Sequence, residues 1–272
     1  MRLLSHPAPV LLEAALLHMP ARRLRALARS EDPALQEWLE KDVSKKVAHA
    51  RHQAREAATR LSALGAAIVS IADGAYPAGL RELSDPPAFL CARGALPQRG
   101  IAIVGSRTPP PEAAVFAFEL AKACAEPVIS GLATGIDAAA HRGALEGGKP
   151  TLAYVATGLG VTYPAHHKAL EETIVAAGGG VASERLPDEP VTKWALVHRD
   201  RLQAAHARAV ILVCSEAGGG ALQTMLFAKA LGRPRFVLAR YAGDAYAGNA
   251  QAKEDGALAL PFDVARACRL LA

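Results

Sequence analysis

Ile101-Ala102-Ile103-Val104, followed at once by Gly105-Ser106-Arg107, is the stretch from which the fold can be read. Four consecutive apolar residues, two of them isoleucines, suit a strand buried on both faces, and the glycine that follows closes it. The same unit recurs downstream. Strands are expected at Pro127 to Ile129, Thr151 to Val155, Gly180 to Ala182, Ala209 to Val213 and Arg235 to Leu238. Helices are expected between them, at Pro110 to Cys124, Gly135 to Glu146, Ala165 to Ala177, Arg199 to Ala207 and Gly220 to Leu231. Strands alternating with helices of about 10 to 15 residues imply right-handed crossovers and a mostly parallel, doubly wound α/β sheet.

Upstream the pattern differs. Ala66 to Ile71 and Phe89 to Ala92 read as two further strands, joined through the turn Asp73-Gly74-Ala75-Tyr76-Pro77 and a short helix carrying Leu80 and Leu83. Before residue 65 only helices are expected: Val10 to His18, Pro20 to Ser30, and a longer stretch from Pro33 toward Leu64. Leu35, Trp38, Leu39 and Val43 fall at helical spacing, which turns them toward a core. Lys41, Lys45, Lys46, Arg51, Arg55 and Arg60 line the rest. The division is therefore a helical domain over 1–65 and an α/β domain over 66–272.

The chain has 272 residues, a formal net charge of +5, 51% hydrophobic and 21% charged residues, a globular composition able to bury a full core. No apolar run approaches the ~20 residues that span a bilayer. Met1 to Pro20, broken by Pro7 and Pro9, does not read as a secretion leader. Cys91, Cys124, Cys214 and Cys268 form no CxxC pair, which argues against zinc and for buried thiols in a reducing cytoplasm.

In an open α/β sheet ligands bind beyond the carboxyl ends of the strands. Four loops lie there: Gly105-Ser106-Arg107, Ser130 to Asp137, Thr157 to Pro164, and Ser215 to Gly220. Glycine lets the backbone approach a ligand, and free N–H groups at a helix start make an anion nest. Arginine adds a fork that fits phosphate. Candidate contacts are Gly105, Ser106, Arg107, Ser130, Gly131, Thr134, Arg199, Arg201, Gly218, Gly219 and Gly220, with Lys149, Lys168, Lys193 and Trp194 as outlying ones. The chain lacks GxGxxG after its first parallel strand, GxxxxGK[ST], and a GxSxG elbow, so a standard dinucleotide site, a P-loop and an esterase nucleophile are not expected. His141 stands four residues after Asp137, but with no nucleophile near it a packing role is the simpler reading; His166-His167 has no further metal ligands. No catalytic residue, metal or cofactor is expected.

These loops, in this order, resemble the DNA-processing protein A family (DprA, also called Smf). Ile103 to Arg107, the run Ser130-Gly131-Leu132-Ala133-Thr134-Gly135-Ile136-Asp137-Ala138-Ala139-Ala140-His141, Gly158 to Pro164, Ser183-Glu184, Tyr76 to Leu80 and Asp85-Pro86-Pro87 carry the resemblance, over roughly residues 70 to 260. It implies an extended Rossmann-like domain that binds single-stranded DNA without cutting it, helps load the RecA recombinase in natural transformation, and forms a homodimer. The helical start resembles the family's small SAM-like N-terminal domain. Where the family has Phe-Pro-x-Arg-Asn-Arg, this chain has Leu196-Val197-His198-Arg199-Asp200-Arg201, so both arginines persist while the aromatic and the Asn do not. Trp194 could stack a base instead. The family's Ser-Gly-Ser/Thr-Leu loop is Gly218-Gly219-Gly220-Ala221-Leu222, and no C-terminal winged helix follows before Ala272. Two other readings are an enzyme resembling nucleotide phosphoribohydrolases, whose PGGxGTxxE run has no matching Glu here, and an interaction protein whose groove has lost DNA.

Overall fold

A computed structural model describes residues 8–272. Residues 1–7, with Pro7 and the start of the expected helical domain, lie outside the described residues. The described residues begin with four helices, α1 (Ala8–Leu16), α2 (Ala21–Ala28), α3 (Pro33–Lys41) and α4 (Lys45–Ala63). The stretch expected to run unbroken from Pro33 toward Leu64 is thus two helices. Asp32 starts α3 by accepting the Leu35 N–H at 3.0 Å, with Pro33 in the first turn, where its missing N–H costs nothing. Asp42 and Ser44 then break the run. Asp42 accepts the Ser44 N–H at 2.7 Å, and Ser44 Oγ caps α4 through the Val47 N–H at 3.4 Å. Leu35 and Leu39 are buried as expected, whereas Trp38 is 43% exposed and Val43, caught in the break, 86% exposed.

The α/β region follows in order: β1 (Ala66–Ser70), a 3₁₀ turn at Ala78–Glu82, β2 (Phe89–Gly94), β3 (Gly100–Val104), α5 (Pro111–Ala123), β4 (Val128–Ser130), α6 (Ile136–Glu146), β5 (Thr151–Tyr154), a 3₁₀ turn at Ala165–His167, α7 (Lys168–Ala176) and β6 (Gly180–Ser183). It continues through α8 (Lys193–His206), β7 (Ala207–Leu212), α9 (Ala221–Ala230), β8 (Arg235–Leu238), a 3₁₀ turn at Asp244–Tyr246, α10 (Ala247–Glu254), β9 (Leu258–Leu260) and α11 (Val264–Leu271). The nine strands form one sheet in the order β1-β2-β6-β5-β4-β3-β7-β8-β9. β3 through β9 are parallel, and β1 and β2 join one edge antiparallel. The mostly parallel Rossmann-like sheet expected from the sequence is the one observed.

Side chains of a strand alternate between faces, and β3 feeds two cores. Ile101 and Ile103 join Phe116 and Leu120 of α5, Ala140 and Ala144 of α6, and Leu271 of α11. Ala102 and Val104 join the other face, with Leu202 of α8 and Leu212 of β7. That second core continues into the helical start through Leu11, Leu12, Leu35 and Leu39. Arg51 of α4 adds an ion pair at 3.2 Å to the buried Glu13 of α1. Cys91, Cys124 and Cys214 are buried free thiols, and Cys268 is half-buried. Among the described residues no helix is long and apolar enough to cross a membrane.

β3 is the switch point. The chain leaves it to β4 on one side, and its other neighbour is β7. The loops after β3, β4 and β7 diverge there and leave a crevice beyond their carboxyl ends.

Candidate nucleic-acid interface

The crevice encloses about 380 Å³ and is walled by Gly105 to Thr108 after β3, Ala133 and Asp137 after β4, Ser215, Glu216, Gly219 and Gly220 before α9, and one face of α8. A smaller cavity of about 180 Å³ adjoins it, lined by Gly131, Thr134, Ala156, Tyr163 and Pro164. Arg107, Ala133, Leu196 and Arg199 border both. The loops can crowd together because of glycine. At Gly105 a Cβ would lie 2.6 Å from Ile136 Cγ1 and 2.8 Å from the Cys214 carbonyl oxygen. Gly135 has a φ of +76° and turns its backbone against the Ser106 carbonyl, which no side chain would permit.

Gly105, Ser106, Arg107, Arg199, Gly219 and Gly220 therefore meet in one crevice, with Gly131 and Thr134 in its annex. Arg107 is exposed, and among the described residues no ion pair engages it. Gly219 donates to Glu216 O, while the amides of Gly220 and Ala221 at the start of α9 take no backbone partner among the described residues. Those amides are the available anion donors.

Other expected residues lie elsewhere. Ser130 is the buried last residue of β4 and donates its hydroxyl to Ile103 O at 2.7 Å, away from the crevice. The Gly218 amide is held by Gln251 Oε1 at 3.2 Å. Arg201 is buried outside the crevice, with Nε on Asp85 at 3.2 Å and an amino group on Glu184 at 2.7 Å. Lys149 donates to Lys122 O at 3.0 Å, and Lys168 pairs with Glu172 at 2.7 Å. Lys193 and Trp194 open α8. Trp194 is 61% exposed and stacks on His198, ring centroids 4.1 Å apart.

Arg199 is buried. Its Nε meets Asp200 at 3.1 Å, and one amino group donates to the carbonyls of Gly131 and Tyr154. This pins α8 to the ends of β4 and β5. Two residues that the sequence reading missed, Gln203 and Thr224, also line the crevice. Leu196, Arg199, Asp200 and Gln203 are spaced three, one and three apart, one face of a helix, a signal that was available once α8 was placed beside the sheet.

The crevice is electrostatically mixed, with Asp137, Asp200 and Glu216 facing Arg107 and Arg199. Burial raises the Asp137 carboxyl, against the pull of Arg199. Burial also pushes Asp200 up to about 6, with Arg199 opposing and Asp137 adding. His141 plays no part. Its Nδ1 lies 2.7 Å from Thr151 Oγ1, whose own proton goes to Val128 O, so Nδ1 is the donor. Burial holds its pKa down at about 3.

A doubly wound sheet whose switch point is ringed by glycine turns, free amides and guanidinium groups defines a Rossmann-like fold with a candidate ligand crevice. The model of the DNA recombination-mediator protein A family matches residues 67–266, and the chain belongs to that family. It is 35% identical over 176 residues to the DNA processing protein DprA of Streptococcus pneumoniae, covering 62% of this chain and 61% of that one. To the putative DNA processing protein DprA of Mycobacterium tuberculosis (strain CDC 1551 / Oshkosh) it is 40% identical over 138 residues, 50% of this chain and 35% of that one. The chain thus spans less than two thirds of these curated relatives. The X-ray structure of the Streptococcus pneumoniae protein superposes with a TM-score of 0.69 at 26% identity, over 93% of this chain and 89% of that one. A structure described for the single-stranded DNA binding mode of DNA processing protein A from Helicobacter pylori gives 0.66 at 24% identity, over 75% and 95%, and shares the fold.

Proposed function

We propose that the chain binds single-stranded DNA along the switch-point crevice and serves homologous recombination in the cytoplasm by presenting that strand to RecA during DNA uptake. Family membership supports the reading. The observation that carries it is the exposed, unpaired Arg107 lining the same crevice as the free amides of Gly220 and Ala221. In this reading Arg107, the Ser106 hydroxyl and the amides of Gly105, Gly220 and Ala221 meet phosphates at the rim, while Gly219, its amide held by Glu216 O, shapes the loop. Arg199 shapes the wall, and Gly131 and Thr134 extend the track. Two chains paired as a homodimer would offer two crevices to one strand and raise avidity. No bond is made or broken: the glycine loop before α9 continues as Ala221-Leu222-Gln223-Thr224, without the glutamate of the phosphoribohydrolase run.

Phosphate contacts position a strand and carry no sequence information, and they release counterions, so affinity falls as salt rises. Fluorescence anisotropy of labelled single strands across salt tests this. Wild type should prefer single strands to duplex. Arg107→Ala should bind every sequence more weakly and shallow the log–log salt slope by roughly 0.7 to 1. Unchanged affinity at matched salt would remove Arg107 from the site.

A further inference from the structure

The annex beside the crevice has a chemistry of its own. Arg107 and Arg199 border it, and the rest of its lining is mostly apolar or small, with Ala156, Pro164 and Leu196 sharing the cavity with Tyr163. Its volume of about 180 Å³ is less than half that of the crevice. Five aromatic side chains are exposed among the described residues: Trp38, Tyr163, Trp194, Tyr241 and Phe262. Of these, Tyr163 alone lines either cavity.

The loop that carries Tyr163 is tied down on both sides of it. Thr162 Oγ1 donates to Glu171 Oε2 at 2.7 Å, and the buried Glu171 accepts from the buried Arg93 of β2 at 3.0 Å. Earlier in the loop, Thr157 Oγ1 donates to Val161 O at 2.6 Å, and the Gly158 and Gly160 amides donate to Glu189 O and Pro187 O at 2.9 and 2.7 Å. Beyond Pro164, the buried His167 donates through Nδ1 to Leu132 O at 2.8 Å, in the loop after β4. An exposed ring on a backbone already fixed loses little freedom when another ring settles on it.

An apolar wall disfavours a phosphate, which would lose hydration there without gaining a partner. It suits a flat, weakly polar group. Every base of a single strand offers such a face, and aromatic side chains stack on it whatever the sequence. We propose that the annex is a base-binding subsite in which Tyr163 stacks on one base of the bound strand, next to the phosphate held by Arg107. This rests on the single-strand reading above and adds a contact to the bases that phosphate binding lacks.

The test uses the full chain and two labelled strands of equal length and charge, one of thymidine and one of abasic tetrahydrofuran units, titrated across salt. Wild type should bind the thymidine strand roughly tenfold more tightly, the value of one stacked base. Tyr163→Ala should bring that ratio close to one with the salt slope unchanged, since no phosphate contact is lost. Tyr163→Phe, which keeps the ring, should restore the ratio. Tyr163 is exposed, so its truncation opens no core, and the wild-type comparison changes only the strand. Equal, salt-sensitive binding of the two strands by wild type would overturn base stacking and leave single-strand binding intact. A thymidine preference that survived in Tyr163→Ala would overturn the assignment to Tyr163, and one lost in Tyr163→Phe would overturn stacking by its ring. Failure of both strands to bind at low salt would overturn the single-strand reading and this inference with it.

Discussion

Arg199 and Arg201 are two positions apart and face in different directions. A helix turns about 100° per residue, so the two side chains diverge by about 200°. Arg199 reaches the crevice wall, and Arg201 the carboxylates of Asp85 and Glu184. A run of basic residues gave no means of separating them before α8 had an orientation. Gly105, Ser106 and Arg107 were legible because they immediately follow a strand, and chain connectivity alone puts them at its carboxyl end. Ser130 was not, since it is the last strand residue and its face depends on register. Asp200 has a consequence for stability. Its carboxyl is raised in the fold, so the native state holds that proton more tightly than the unfolded chain does. The resulting stabilisation is present at low pH and is lost as pH rises through about 6. Between pH 7 and pH 5 wild type should gain about 1 kcal/mol relative to Asp200→Asn, followed by urea unfolding at each pH. The buried His141 and His206, held down at about 3 and 4, oppose this in both proteins and cancel from the difference.

The elements best anticipated were the parallel strands and the helices α5 and α6, where apolar runs and glycine turns agree. Boundaries set by capping were less legible. α8 was expected from Arg199 and begins at Lys193, because Thr192 Oγ1 accepts the Ala195 N–H at 3.0 Å and starts the helix six residues early. The chain presents Thr192 after a Pro and a Val, and a lone threonine is a weak signal without the apolar face behind it. β9 spans only Leu258–Leu260, and its pairing with β8 sets it as a strand more than its own pattern does. Because α8 carries Arg199, Asp200 and Gln203, its cap matters to the crevice. Thr192→Ala should lower stability by about 1 kcal/mol, read as a reduced urea midpoint at unchanged slope.

At the scale of the whole molecule, the sequence suggests a seam near residue 65, while buried side chains run across it. Leu11, Leu12, Leu35 and Leu39 belong to the same core as Ala102, Val104 and Leu202. A shared core favours a single cooperative transition. The two tryptophans lie on either side of the seam, Trp38 on α3 and Trp194 on α8, so each can report separately. Urea unfolding of Trp38→Phe and Trp194→Phe should give coincident midpoints by fluorescence, and separated midpoints would show that the helices melt independently. The cysteines are also spread through the molecule, on β2, at the end of α5 and just beyond β7. Burial pushes Cys91 and Cys124 up to about 12 and Cys214 up to about 11, far from the thiolate form that attacks electrophiles. Folded, the chain shields these sulfurs from alkylating reagents, and the pace at which each is modified becomes a stopwatch for how often its part of the sheet breathes open.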